Sequence, residues 1–295
     1  LEDDIKSSLK PWLCYYCGEC TTHCPQEAEP GELMMSLRRW LTSVYDWTGL
    51  SGMLYRSLPT AITAMTLTAL AVIAYAFFND FNLEKVMHTG HVFEMAAIAT
   101  VFAGILLPNL IRMWNFTILK PGIKVPLRKY VSAMWDLVVH MFTQKRTLGC
   151  DDSQVRWFEH LILVFGYLGL LFTTVFLDWF SSESTFVIVL GYAVSIIIFT
   201  VTVIFVSERI AKRREMNKKS QPSDWMFVVW LFLMGISAFA VRLFIDLGML
   251  QNNFWLYMVH LIILVQWALF IVPFGKWTHF LYRSFAMYFD AIRKN

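Results

Sequence analysis

Residues 184–206 have the sequence STFVIVLGYAVSIIIFTVTVIFV, which contains no charged side chain. A helix needs about 20 consecutive apolar residues to cross the hydrocarbon core of a bilayer. A helix is also the simplest structure that satisfies its own backbone hydrogen bonds in lipid. This stretch therefore predicts a transmembrane helix, and it decides the fold class of the chain.

Five further stretches have the same character. Hydrophobic residues make up 57% of the 295-residue chain and charged residues 16%, which excludes an ordinary soluble globular protein. The predicted fold is all-α, with a membrane domain over residues 51–295 and a small head over residues 1–50. We place the membrane helices near residues 59–79, 91–116, 157–177, 184–206, 224–247 and 254–288.

The orientation follows from the lysines and arginines of the connections. The connections 115–156 and 207–223 carry seven and six of them, and the tail from Lys276 carries four. The three connections on the other side of the membrane carry one, zero and zero lysines or arginines, in chain order. The positive-inside rule therefore places the head, both basic connections and the tail in the cytoplasm. The expected location is the plasma membrane of a prokaryote.

The head contains four cysteines in the sequence CYYCGECTTHCP, from Cys14 to Pro25. The spacing C-x2-C-x2-C-x3-C-P presents thiolates to a cubane iron–sulfur cluster. A structural zinc site is the alternative, but zinc usually takes two ligand pairs that are a dozen or more residues apart. We predict a [4Fe-4S] cluster with the ligands Cys14, Cys17, Cys20 and Cys24. Reduced thiols also indicate a reducing compartment.

The fourth ligand of this cluster stays open. In domains with two such runs, the last cysteine of each run binds the other cluster. Three arrangements remain, in which Cys24 closes the same cluster, Cys150 closes it from the basic connection, or a second run precedes Leu1. The third arrangement would give the head two clusters.

The head resembles a known family. The segments LEDD (residues 1–4), PWLC (11–14) and LMMSLR (33–38), together with the cysteine run, are similar to the second half of the two-cluster helical ferredoxin subunit of heterodisulfide reductases. That resemblance implies a helical ferredoxin-like head and a redox partner on the cytoplasmic side. In that family another cysteine run comes before this one.

Four histidines belong to the predicted membrane helices. Imidazole is costly in hydrocarbon and usually indicates a site, and it is a common axial ligand of haem iron. Pairing by depth gives His160 with His279 at an inner haem b, on the head side. The same argument pairs His260 with His91 as the two ligands of an outer haem b. The alternative role for each is an interhelical hydrogen bond.

The membrane part also resembles a family. Residues 260–280 (HLIILVQWALFIVPFGKWTHF) and 156–169 (RWFEHLILVFGYLG) are similar to nitrate reductase gamma subunits and to the membrane cytochrome b of heterodisulfide reductases. The pattern of the nitrate reductase gamma subunits implies a further histidine one to three turns deeper in the second of these helices, where this chain has Leu170 and Leu171. We therefore predict His91 as the second ligand of the outer haem, with His88 as the next candidate.

These features predict an electron-transfer subunit of a quinone-linked oxidoreductase complex. Electrons would pass between a soluble or peripheral cytoplasmic redox subunit and a membrane quinone. Glu94 lies one turn from His91 and is our candidate proton relay for the quinone. Two alternatives stay open, a haem-free iron–sulfur subunit that reduces quinone and a zinc-bound membrane anchor that docks a partner.

Overall fold

The computed structural model describes residues 2–149, 153–175, 184–212 and 215–294. Every regular element in these ranges is a helix, which confirms the all-α fold. The helices of the first 56 residues are α1 Glu2–Ser7, α2 Lys10–Leu13, α3 Glu19–Thr22, α4 Pro30–Tyr45 and α5 Leu50–Arg56. The later α-helices are α6 Leu58–Phe78, α7 Leu83–Thr100, α8 Leu107–Trp114, α9 Leu127–Ser132, α10 Met134–Thr143, α11 Ser153–Val175, α12 Thr185–Ala211, α13 Glu215–Lys218, α14 Pro222–Asp246, α15 Phe254–Gln266, α16 Val272–Phe274 and α17 Thr278–Arg293.

Six helical stretches in the described part of the chain are long and apolar enough to cross a membrane. They correspond one to one with the six predicted helices, so the chain has the character of a multi-pass membrane protein. We number them as spans 1 to 6: Leu58–Phe78, Leu83–Leu119, Gln154–Phe172, Thr185–Ala211, Pro222–Asp246 and Gln251–Arg293.

Span 2 begins earlier than predicted. It runs through α7, a π-helix at Val101–Leu106, α8 and a second π-helix at Asn115–Leu119. The Asn82 side chain accepts a hydrogen bond from the Lys85 backbone amide, which is the usual way an asparagine starts a helix. His91 therefore does not open the helix. It lies eight residues inside, which is about 12 Å at 1.5 Å per residue.

Span 6 is interrupted, whereas the sequence predicted a continuous helix. A π-helix at Trp267–Ile271 leads into α16, and the chain turns before α17 begins. Pro273 has no amide hydrogen to continue the helical ladder. At Gly275 a Cβ atom would lie 2.5 Å from the carbonyl oxygen of Ile271. The break changes the direction of the chain between His260 and His279.

The bundle is built by neighbouring spans in sequence. Span 4 packs against spans 3 and 5, and α15 of span 6 packs against α14, α6 and α7. Gly235 permits a close approach in span 5, because a Cβ there would lie 3.0 Å from the backbone nitrogen of Phe199 in span 4. Span 6 is the most enclosed of the six.

The basic connections and the tail lie beside the head. Lys219 forms an ion pair with Glu29. Arg293 donates to the carbonyl of Ser7 at 3.2 Å. These contacts bring the connection before span 5 and the C-terminal helix to the same side of the bundle as the head, as the charge distribution predicted.

The head shares a hydrophobic cluster with the C-terminal helix. Trp12 is 1% exposed, and Tyr45 and Tyr282 are fully buried. The rings of Trp12 and Tyr282 have centroids 5.1 Å apart, and those of Tyr45 and Tyr282 are 5.5 Å apart. This packing fixes the head directly against α17, the helix that carries His279.

Candidate functional site

The cysteine run lies on a loop and a short helix of the head. Cys14 follows α2, Cys20 lies within α3, and Cys17 and Cys24 lie before and after α3. All four are free thiols. Within the described residues, no group of three or more His, Cys, Asp or Glu side chains is placed to hold a metal ion. The four-cysteine ligand set therefore stays a prediction.

A buried arginine holds the start of this run. Arg38 of α4 donates from Nε to the Pro11 carbonyl at 2.7 Å and from a terminal nitrogen to the Cys14 carbonyl. Burial, followed by repulsion from Arg283, lowers the pKa of Arg38 to about 10. The guanidinium is still charged at neutral pH. It fixes the backbone immediately before the Cys14–Cys17 segment.

Two more arginines contact the same segment from the membrane domain. Arg156, at the start of α11, donates to the carbonyls of Tyr15 and Tyr16 at 3.4 Å. Arg283, on α17, lies over the Tyr15 ring with 4.6 Å from its Cζ to the ring centroid. Cys14 and Cys17 flank these two tyrosines. Four thiolates form an anionic donor set, and three guanidinium groups beside it suit an iron–sulfur cluster.

The structure brings His160 and His279 together. Their ring centroids lie 6.2 Å apart and the ring planes make an angle of 74°. Imidazole nitrogens bind metals at about 2 Å, so two rings on opposite sides of one metal have centroids roughly 6 Å apart. The pair predicted for the inner haem has this separation. Arg156 lies four residues before His160 on α11, and Arg283 lies four residues after His279 on α17.

The two histidines differ in the hydrogen bonding of Nδ1. His279 donates from Nδ1 to the backbone carbonyl of Lys276, and this contact sets the tautomer and leaves a lone pair on Nε2. The Nδ1 atom of His160 is buried and has no hydrogen-bond partner among the described residues. The hydrogen bond therefore favours Nε2 as the ligating atom of His279, whereas nothing in the described residues sets the tautomer of His160. The pair would hold a haem if both side chains bind its iron.

One cavity joins the histidine pair to the cysteine loop. It has a volume of about 210 Å³, and His160, His279, Tyr15 and Tyr16 all line it. Its lining is largely apolar and aromatic and also includes several basic side chains. The basic residues at this cavity are Arg38, Arg156, Arg209, Lys276 and Arg283. Such groups suit the propionates of a haem.

The outer histidines occupy similar depths on neighbouring helices. His260 lies six residues into α15, and its Nδ1 is 2.9 Å from the Ser237 hydroxyl. A Cβ at Gly90 would contact Tyr257 and Leu261 of α15, so α7 crosses α15 beside His91. His88 is exposed. The crossing supports a common depth, and the pairing of His91 with His260 stays a prediction.

Glu94 lines a second, smaller cavity of about 60 Å³. Leu170 and Leu171 line it as well. Tyr167 and Trp267 line both cavities. The Trp267 indole donates to the Tyr167 hydroxyl at 3.2 Å. This aromatic pair could not be predicted from the sequence, because only the packing of spans 3 and 6 brings the two residues together.

Cys150, the alternative fourth cluster ligand, lies outside the described residues. Comparison with protein-family models, with curated proteins and with solved structures finds no match to the chain.

Proposed function

We propose that the chain is the membrane electron-transfer subunit of a quinone-linked oxidoreductase complex. The observation that carries the proposal is the cavity shared by the cysteine loop and by His160 and His279. A thiol-rich loop that shares a cavity with a half-buried histidine pair at the head side of a membrane bundle suits electron transfer between two cofactors.

Each set of residues has a separate role in this proposal. Cys14, Cys17, Cys20 and Cys24 hold a [4Fe-4S] cluster, His160 and His279 hold an inner haem b, and His260 with His91 holds an outer haem b. When bound, these groups supply one-electron chemistry between a head-side redox partner and a membrane quinone.

The protein positions and insulates these groups. Arg38, Arg156 and Arg283 fix the Cys14–Cys17 segment against the histidine helices. The apolar walls of the bundle keep water from the histidine pair. Glu94 exchanges a proton with the quinone when its redox state changes. The head faces the cytoplasm of a prokaryote, where the partner subunit docks.

The test is an optical and EPR spectrum of the purified full-length chain, with counts of iron, sulfide and haem. We expect iron and sulfide together with the absorption bands of b-type haem, and oxidation of the reduced haem when a soluble quinone is added. Zinc without iron or sulfide would replace this function with that of a membrane anchor. Iron and sulfide without haem would support the haem-free subunit instead.

A further inference from the structure

A third cavity contains neither the histidine pair nor the cysteine loop, although it shares Phe227 and Lys276 with the cavity of the histidine pair. It has a volume of about 240 Å³, and α4, α5, α6, α14 and the interrupted part of span 6 enclose it. Spans 1 and 5 begin beside it, at Leu58 and Pro222. The cavity therefore lies at the head-side end of the bundle, at the depth where the lipid headgroups of that leaflet would lie.

The charge around this cavity is positive. Arg39, Arg56 and Lys276 line it. The carboxylate of Asp224 is 2.7 Å from the Lys276 ammonium and 3.9 Å from Arg39. Glu32 also interacts electrostatically with Arg39 and Lys276, so these two cations have carboxylate partners. Arg56 is exposed, and its side chain has no hydrogen bond or ion pair with any other described residue. An unmatched cation at the cavity suits an anionic group.

A hydrogen-bond donor lies next to this cation. Tyr55 is the residue before Arg56 and also lines the cavity, and its hydroxyl has no hydrogen bond to the residues that the structure describes. Burial, followed by the nearby Asp224 carboxylate, raises the pKa of Tyr55. The phenol therefore keeps its proton at neutral pH, and its O–H is available to donate a hydrogen bond to a ligand.

Part of the cavity wall is apolar and includes a residue on the outer surface of span 1. Leu58, Met226 and Phe270 form part of its wall, and Leu58 is 46% exposed on the surface of span 1. A free phosphate ion would use only the polar end of such a cavity. A phospholipid would use the polar end for its phosphate diester and the apolar wall for an acyl chain.

We propose that this cavity binds one anionic phospholipid of the head-side leaflet, with its phosphate at Arg56 and Tyr55 and an acyl chain along Leu58, Met226 and Phe270. Basic pockets between membrane helices at the cytoplasmic side are a known type of lipid headgroup site. The lipid would fix the contact between the head-side helix α5 and spans 1, 5 and 6. Binding at this site requires neither cofactor.

The test is native mass spectrometry of the purified full-length chain, incubated with equal amounts of phosphatidylglycerol and phosphatidylcholine. We expect one tightly retained phosphatidylglycerol per chain. In Arg56→Gln the retention should fall about fivefold, the effect of one basic residue near a lipid surface. Tyr55→Phe should weaken it without loss of folding, because only a hydroxyl is removed.

Arg128→Gln is the matched control, because Arg128 is an exposed arginine on α9 that does not line the cavity. Its lipid retention should equal that of the unchanged protein. Equal binding of both lipids, or an equal loss in Arg128→Gln and Arg56→Gln, would overturn the proposal. Displacement of the lipid by millimolar inorganic phosphate, or a quinone bound in its place, would overturn it as well.

Discussion

Some side chains of the candidate site act by fixing the position of the neighbouring backbone. Arg38 is the clearest example, since a charged residue that is 8% exposed sits where the head meets the membrane domain. The sequence predicted the cysteines and the histidines by spacing and depth. It did not predict the role of Arg38, because its acceptors Pro11 and Cys14 are more than twenty residues away and only tertiary packing brings them near.

Replacing Arg38 with Met should loosen the cysteine loop. The substitution leaves two backbone carbonyls without their donor, and each buried unsatisfied group costs roughly 1–3 kcal/mol. We expect a lower iron and sulfide content after size-exclusion chromatography, with faster proteolysis of the head. The neighbouring exposed-face variant Ser36→Ala is the control. An unchanged iron content in Arg38→Met would show that the loop does not need this anchor.

Among the helices, the six spans could be predicted from apolar length, but their irregularities could not. The start of span 2 depends on the Asn82 cap, which lies outside the apolar stretch used to locate the helix. The break in span 6 depends on Pro273 together with the close approach at Gly275. Proline alone does not locate such a break, since membrane helices tolerate it when neighbours satisfy the freed backbone groups.

Gly275→Ala should displace α17 and with it His279. A Cβ only 2.5 Å from the Ile271 carbonyl forces the backbone to shift, and we expect a loss of stability of about 2–4 kcal/mol. Thermal unfolding of the chain in detergent would measure it. Gly191→Ala is the control, because a Cβ there has no neighbour within 4 Å. Equal melting temperatures for the two variants would disprove the close approach at Gly275.

In the whole molecule, the head, the basic connections and the tail lie together at one end of the helical bundle. The six spans extend from that end toward the other. The positive-inside rule predicted this grouping from charge alone. The sequence could not predict that the head would share its hydrophobic cluster with α17 through Trp12 and Tyr282, because that contact joins the two ends of the chain.

The orientation can be tested with inserted reporters. An alkaline phosphatase domain, which is active only after export, should be inactive after Gly122 in the basic connection 115–156. The same reporter should be active after Gly248, in the uncharged connection between spans 5 and 6. Matched insertions of a fluorescent protein should give the opposite result. Phosphatase activity at Gly122 would reverse the proposed orientation.

The haem content of His279→Ala decides whether His160 and His279 share one iron. We predict that this variant loses the inner haem, about half of the haem measured in the unchanged protein, while the EPR signal of the cluster persists. His23→Ala replaces an exposed histidine of the head and should keep the full haem content. A full haem complement in His279→Ala would mean that this histidine pair does not bind the inner haem, and the proposed electron path would fail.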